Sequence, residues 1–169
     1  MFFTEMINNM IINKYPYHLI YPDGKVYSLK KKRFIKSRFD KYGYKRFSIK
    51  NVFTNKLDTV FMHHLVAIKY LNYDSKSGLC VDHIDGNKLN NDITNLQIID
   101  FKSNILKYYL NRVNKNGLPS FIKYSKKNNE YTFHLKMFNC KKTFNDLEEC
   151  IKYKNLICKS HLQKDIVLI

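Results

Sequence analysis

The stretch Val81-Asp82-His83-Ile84-Asp85-Gly86-Asn87-Lys88-Leu89-Asn90-Asn91-Asp92-Ile93-Thr94-Asn95-Leu96 constrains the fold of this chain more than any other. Residues 79–81 read as a short apolar strand, which delivers an Asp-His pair into a turn at Asp85-Gly86-Asn87. Asn91 or Asp92 can then cap a short turn of helix, because their side-chain oxygens accept from the first unpaired backbone N–H groups. Residues 99–110 read as a longer helix behind it. On a regular strand Asp82 and His83 would face opposite ways, and the Asp-Gly turn is where they can be re-aimed.

Short strands and turns precede this run. Tyr21-Pro22-Asp23-Gly24-Lys25 is a turn, since Pro presets φ and Asp-Gly accepts a tight reversal. Residues 26–29, 44–49 and 58–62 read as strands, and 63–71 has helical apolar spacing. The polar stretch 111–119, with its Gly and Pro, reads as a linker. Beyond it, 120–124, 130–137 and 139–144 read as three strands, and Asn145 opens a helix with Glu148 as its capping-box partner. Phe133, Leu135 and Met137 would pack on that helix, leaving Lys123, Thr132, His134 and Lys136 on the opposite face. Residues 1–14 read as a short helix or an arm. The expected class is α+β. It comprises a small antiparallel strand-rich module (1–60), a core around the Asp-His run (61–110), the linker (111–119), and a three-stranded sheet with a helix (120–169).

Charge narrows the partner. The chain carries a net +16 over 169 residues, with 44% hydrophobic residues, so it is a foldable polycation rather than a disordered one. Such a surface favours polyanions. The only arginines are Arg33, Arg38, Arg46 and Arg112, so phosphate contact by lysine outweighs bidentate reading of bases. The cluster Lys30-Lys31-Lys32-Arg33, with Lys36 and Arg38 behind it, is the densest patch and the first candidate for contact with nucleic-acid phosphates. The four cysteines form no C-x-x-C pair, which predicts reduced thiols in a cytoplasmic protein rather than a zinc site. No stretch approaches the length of a membrane span.

An imidazole beside a carboxylate, with amides close by in sequence, suits phosphodiester hydrolysis. That reaction needs a base for the water, a cation on the developing charge, and help for the departing 3′ oxygen. Histidine titrates near neutral pH, and Asp and Asn oxygens are hard donors fit for Mg²⁺ or Mn²⁺.

The segments His63-His64-Leu65-Val66-Ala67, Asp82-His83, Asp85-Gly86-Asn87, Asn90-Asn91, Asn95-Leu96 and Asn104 together resemble the phage-type HNH (ββα-metal) homing endonucleases. The likeness covers roughly residues 58–108 closely. It implies a metal-dependent endonuclease that hydrolyses double-stranded DNA, leaves 5′-phosphate and 3′-hydroxyl ends, and takes no small-molecule substrate. His83 would be the base, Asp82 and Asn104 the metal ligands, and Asn95 the residue that braces the loop and orients His83. His64 stands where the family often carries Arg, and Asn104 where some members carry His. His63 reads as a buried packing residue.

Residues 15–60 resemble the strand-rich module that precedes HNH sites, through Gly24-Lys25-Val26-Tyr27-Ser28-Leu29 and Tyr42-Gly43-Tyr44, with the basic cluster on a loop between strands. Residues 120–158 resemble an AP2-like DNA-binding module, with Tyr131 near the position of the family's usual Trp. The resemblance implies DNA contact by Lys123, His134 and Lys136. It also implies a monomer, or a transient dimer on DNA, in a host-cell cytoplasm. The competing expectations are a non-catalytic DNA-binding regulator on the same scaffold and an RNA-binding basic protein.

Overall fold

The Pro22-Asp23-Gly24 turn folds β1 (His18–Ile20) back on β2 (Val26–Ser28), with Ile20 opposite Val26. Gly24 has φ +84°, a left-handed conformation that costs a side-chain-bearing residue strain. A Cβ there would also lie 2.8 Å from Met62 and 3.1 Å from Cβ of Asn91, so glycine is required on two counts. This computed structural model describes residues 12–110 and 112–164. The expected helix or arm at 1–14 lies almost wholly outside the described residues.

β3 (Arg33–Phe34) completes an antiparallel sheet in the order β1-β2-β3. A second antiparallel sheet follows, built from β4 (Arg38–Phe39), β5 (Lys45–Lys50) and β6 (Leu57–Phe61) in sequence order. In β5 the period-two alternation is clean: Phe47 and Ile49 are buried between exposed Arg46, Ser48 and Lys50. Lys30, Lys31, Lys32 and Lys36 lie in connections between strands, as expected, whereas Arg33 and Arg38 sit on short strands.

The chain passes from β6 directly into α1 (Met62–Tyr70), which buries Met62, His63, Leu65, Val66 and Ala67. The Tyr70 hydroxyl donates to the carbonyl of Ile20 at 2.5 Å and ties this helix to β1. β7 (Leu79–His83) and β8 (Leu96–Asp100) form a two-stranded sheet, and the Asn-rich loop joins them through a single 3-10 turn at Ile93–Asn95. Asp92 caps that turn by accepting from the backbone N–H of Thr94, which decides between the two expected caps. β8 was not expected. The helix predicted from residue 99 starts later, as α2 (Phe101–Leu110), with Asp100 accepting from the N–H groups of Lys102 and Ser103.

The chain divides into two compact units, residues 1–98 and 99–169. In the first, Tyr15, Ile20, Val26, Phe47, Ile49, Met62, Leu65, Val66 and Leu96 share one core. The boundary expected between residues 60 and 61 falls inside this unit. In the second, β9 (Ile122–Ser125), β10 (Glu130–Leu135) and β11 (Cys140–Phe144) form an antiparallel sheet with β10 in the middle. Phe133 and Leu135 pack with Cys150 and Cys158 of α3 (Leu147–Lys164) around Leu106 of α2. The strand expected to reach residue 137 ends at Leu135, and Lys136 opens a 3-10 turn. The cap of α3 is Asp146, accepting from the N–H of Glu149, rather than Asn145. Residues 112–119 are ordered by Asn114, whose Oδ1 accepts from the N–H groups of Asn116 and Leu118 while its Nδ2 donates to the carbonyl of Ile122. All four cysteines are free thiols. No described helix is long and apolar enough to cross a membrane.

Candidate active site

His83 closes β7 with its ring buried, 4% exposed. Its Nε2 lies 3.2 Å from Oδ1 of Asn91, which is itself 2% exposed. Around the imidazole stand two further rings. His63 of α1 meets it edge-on at 5.2 Å, and Tyr44 lies 6.2 Å from it and 5.1 Å from His63. Phe61 stacks on His63 at 5.5 Å, and His64 meets His63 edge-on at 4.5 Å. The Lys88 ammonium sits over the Tyr44 ring and donates to the carbonyl of Tyr42 at 3.1 Å, which brings a positive charge to the rim of this aromatic cluster.

His63 occupies the least water-like place in the cluster. Burial, then the neighbouring His64 and His83, lower its pKa to about 3, so it is neutral across the physiological range. Its Nδ1 has no hydrogen-bond partner among the described residues. This agrees with a packing role rather than one as a charged group.

The loop is held by its own amides. Asn95 donates from Nδ2 to Oδ1 of Asp85 at 2.9 Å and to the carbonyl of Asn90 at 2.8 Å. Its Oδ1 accepts from the N–H of Asp85 at 3.1 Å, and its backbone carbonyl from the N–H of Ile84 at 2.8 Å. Asp85 also accepts from the Asn90 side chain and the Asn87 N–H. Hydrogen bonds from Asn90, Asn87 and Asn95 hold its carboxyl below the usual carboxylate range. Gly86 takes φ +74° and donates to the carbonyl of His83 at 2.9 Å, which turns the chain away immediately after the imidazole. The N–H of Ile93 donates to the carbonyl of Pro22 at 2.9 Å, so the β1-β2 turn supports the loop from outside.

Asp82, half-buried on β7, accepts at Oδ2 from Nε2 of Gln97 on β8 at 2.8 Å. The structure thus gathers Asp82, His83, Asn95 and the unanticipated Asn91 and Gln97 onto β7, β8 and their connection. Asn104 stands half-buried on α2, four positions past the end of β8, in the second compact unit. Among the described residues no three His, Cys, Asp or Glu side chains converge as a metal cage. The Asp82 carboxylate is by itself a hard oxygen donor, the kind that suits Mg²⁺, which keeps several waters and takes substrate phosphate as a further ligand.

The sequence model of the HNH endonuclease family matches residues 60–104. The matched segment is thus similar to an HNH domain. It spans α1, β7, the Asn-rich loop, β8 and the first turn of α2. Curated relatives extend the likeness on either side. The uncharacterized HNH endonuclease L245 of Acanthamoeba polyphaga mimivirus is 33% identical over 111 residues, 66% of this chain and 33% of its own length. The SPbeta prophage-derived HNH homing endonuclease YosQ of Bacillus subtilis (strain 168) is 56% identical over 45 residues, 27% of this chain and 25% of its own. The DNA endonuclease I-HmuI of Bacillus phage SP01 is 40% identical over 82 residues, 48% of this chain and 45% of its own. The chain thus spans less than half the length of each of these relatives. A solved structure of I-HmuI, described as showing DNA binding and cleavage by that HNH homing endonuclease, aligns with a TM-score of 0.53 and 25% identity, covering 85% of this chain and 80% of that one.

The basic residues flanking the matched segment are surface groups. Lys30, Lys31, Lys32, Arg33, Lys36 and Arg38 are all exposed, as are Lys123, His134 and Lys136 in the second unit. Lys30 and Lys31 line a surface cavity of about 370 Å³ together with Lys50, Tyr17 and His18. Burial and then the ammonium groups of Lys31 and Lys30 lower the His18 pKa, an internal sign of the positive potential there.

Proposed function

We propose that this chain is a divalent-metal-dependent endonuclease acting on double-stranded DNA, with His83 as the general base. The observation that carries the reading is the mounting of His83: a buried imidazole at a strand end, gripped by an amide and followed by a loop that hydrogen-bonds to itself. A solvated histidine on a charged face would need none of this. In the proposed reaction the imidazole takes a proton from water, the resulting hydroxide oxygen bonds to phosphorus, and the bond to the 3′ oxygen breaks. A solvent proton completes the 3′-hydroxyl, and the 5′-phosphate stays on the other fragment. Asp82 and Asn104 would hold the metal, Mg²⁺ or Mn²⁺, and Asn95 braces the loop that carries the base. When bound, the metal supplies positive charge to the phosphoryl oxygens. Lys30, Lys31, Lys32, Arg33, Lys36 and Arg38 would run along DNA phosphates, and Lys123, His134 and Lys136 would extend the footprint from the second unit.

The test is incubation of supercoiled plasmid, carrying DNA from the gene's own neighbourhood, with wild-type protein and with His83→Ala in Mg²⁺, Mn²⁺ and EDTA. Metal-dependent nicking or linearisation by the wild type alone is expected. Retarded DNA without cleavage under every metal would replace this reading with a DNA-binding regulator. Preference for structured RNA over duplex DNA in competition would replace it with an RNA-binding protein.

A further inference from the structure

The orientation of Asn91 determines which ring nitrogen of His83 carries the hydrogen that faces it. An asparagine amide presents a donor end and an acceptor end, and its hydrogen bonds decide which points where. Two backbone carbonyls, those of Lys88 and Leu89, lie 3.3 and 3.1 Å from one end of the Asn91 amide. A carbonyl can only accept, so that end is the NH2 group. The oxygen must then face His83, and at 3.2 Å it can only accept a proton carried on Nε2. Reversing the amide would set its oxygen against two carbonyl oxygens at 2% exposure, where no water can relieve them.

We propose that Asn91 is a positioning residue which holds His83 as the Nε2–H tautomer, so that Nδ1 is the atom that receives the proton from water. The inference rests on the endonuclease reading for its catalytic meaning, but the tautomer itself does not. The fold supplies the support the role requires. The Asn91 side chain packs against the Gly24 turn closely enough that a Cβ at residue 24 would crowd it, and the Ile93 to Pro22 hydrogen bond fixes the backbone two residues on. Sequence reasoning gave the orienting role to Asn95, whose side chain bonds to Asp85 and Asn90, whereas the amide touching the imidazole is Asn91.

Long-range proton–nitrogen NMR of the full ¹⁵N-labelled chain reads the tautomer directly, at about pH 8 where an ordinary imidazole is neutral. The His83 signals are assigned by their absence in His83→Gln. The expected spectrum has Nε2 protonated and Nδ1 bearing the lone pair, and Asn91→Ala shifts His83 toward a mixture of both forms. In a Ser-His-Asp triad, imposing the wrong tautomer costs about 10⁴ in kcat. Asn91→Ala releases the ring rather than reversing it, so we expect kcat for plasmid nicking to fall about 10- to 100-fold, with KM within about twofold. A wild-type His83 protonated on Nδ1 overturns the proposal, and that measurement stands even where Asn91→Ala does not fold. An unchanged tautomer and an unchanged kcat in Asn91→Ala overturn it as well. A wild-type protein that shows the Nε2–H form yet cleaves no DNA sinks the endonuclease reading and leaves the hold of Asn91 on the ring intact.

Discussion

Mild acid should destabilise the first compact unit, and His63 should supply a definable part of the effect. The ring is 5% exposed and its pKa is lowered to about 3, mainly by burial, against an ordinary value near 6.5. Below pH 6.5 the unfolded chain takes up a proton at this residue and the folded chain does not. Stability is therefore complete above pH 6.5 and falls as pH drops toward 3, at about 1.4 kcal/mol per pH unit. At pH 5 the loss from His63 alone comes to about 2 kcal/mol. His63→Phe keeps a flat ring for Phe61, Tyr44 and His83 to pack on and cannot titrate. It also replaces the partnerless Nδ1 by carbon, so the variant should be at least as stable as wild type at pH 7.5. Urea titrations at pH 7.5 and 5, read by pulsed hydrogen exchange of the α1 peptide, would follow this unit separately from the other. The expected result is an acid-induced loss about 2 kcal/mol larger in wild type than in His63→Phe. His64 and His18, whose pKa values are also lowered, contribute to both proteins and cancel in the difference. Equal losses in the two proteins would refute the argument, because they would mean that His63 is protonated in the folded state or solvated before unfolding.

Three further outcomes follow from the same geometry. Asn95→Ala removes both donors and the acceptor that close the 84–95 loop and should cost about 2–3 kcal/mol by urea denaturation, with nicking reduced further than stability explains. Gly24→Ala forces a side chain into a φ +84° position against Met62 and Asn91; a loss of about 1–3 kcal/mol is expected, together with displaced His83 resonances. Neutralising Lys30, Lys31, Lys32 and Arg33 together should weaken duplex binding in fluorescence anisotropy and flatten its salt dependence by about 0.9 in log K per log salt for each phosphate the variant leaves unneutralised; an unchanged slope would remove these residues from the interface.

Much of the fold could be read from the sequence because its signals are local. The loop from Asp85 to Asn95 is a succession of short-range side-chain-to-backbone bonds, each within reach of Asn and Asp at fixed offsets. The inward Phe133 and Leu135 follow from period-two alternation. What escaped lies where local signals conflict or are absent. Ile98 and Ile99 run straight into a helix, and their apolar character fits the end of β8 or the start of α2 equally well until the pairing with β7 is known. Asn145 and Asp146 are both able to cap, and only the geometry chooses Asp146. The contact between His83 and Asn91 depends on how the loop closes in space, so along the chain nothing distinguishes Asn91 from its neighbour Asn90.

The shared core of residues 12–98 bears on how such a gene can be rearranged. The HNH match begins at residue 60, yet α1 buries Met62, Leu65 and Val66 against Tyr15, Ile20, Val26, Phe47 and Ile49 from the strands before it. Cut out as a cassette, the matched segment would carry Asp82, His83 and Asn95 with one side of their support missing. The stretch by which kinship is detected is shorter than the stretch that can fold, so recombination or protein engineering that moves the matched segment has to carry the preceding strands along with it.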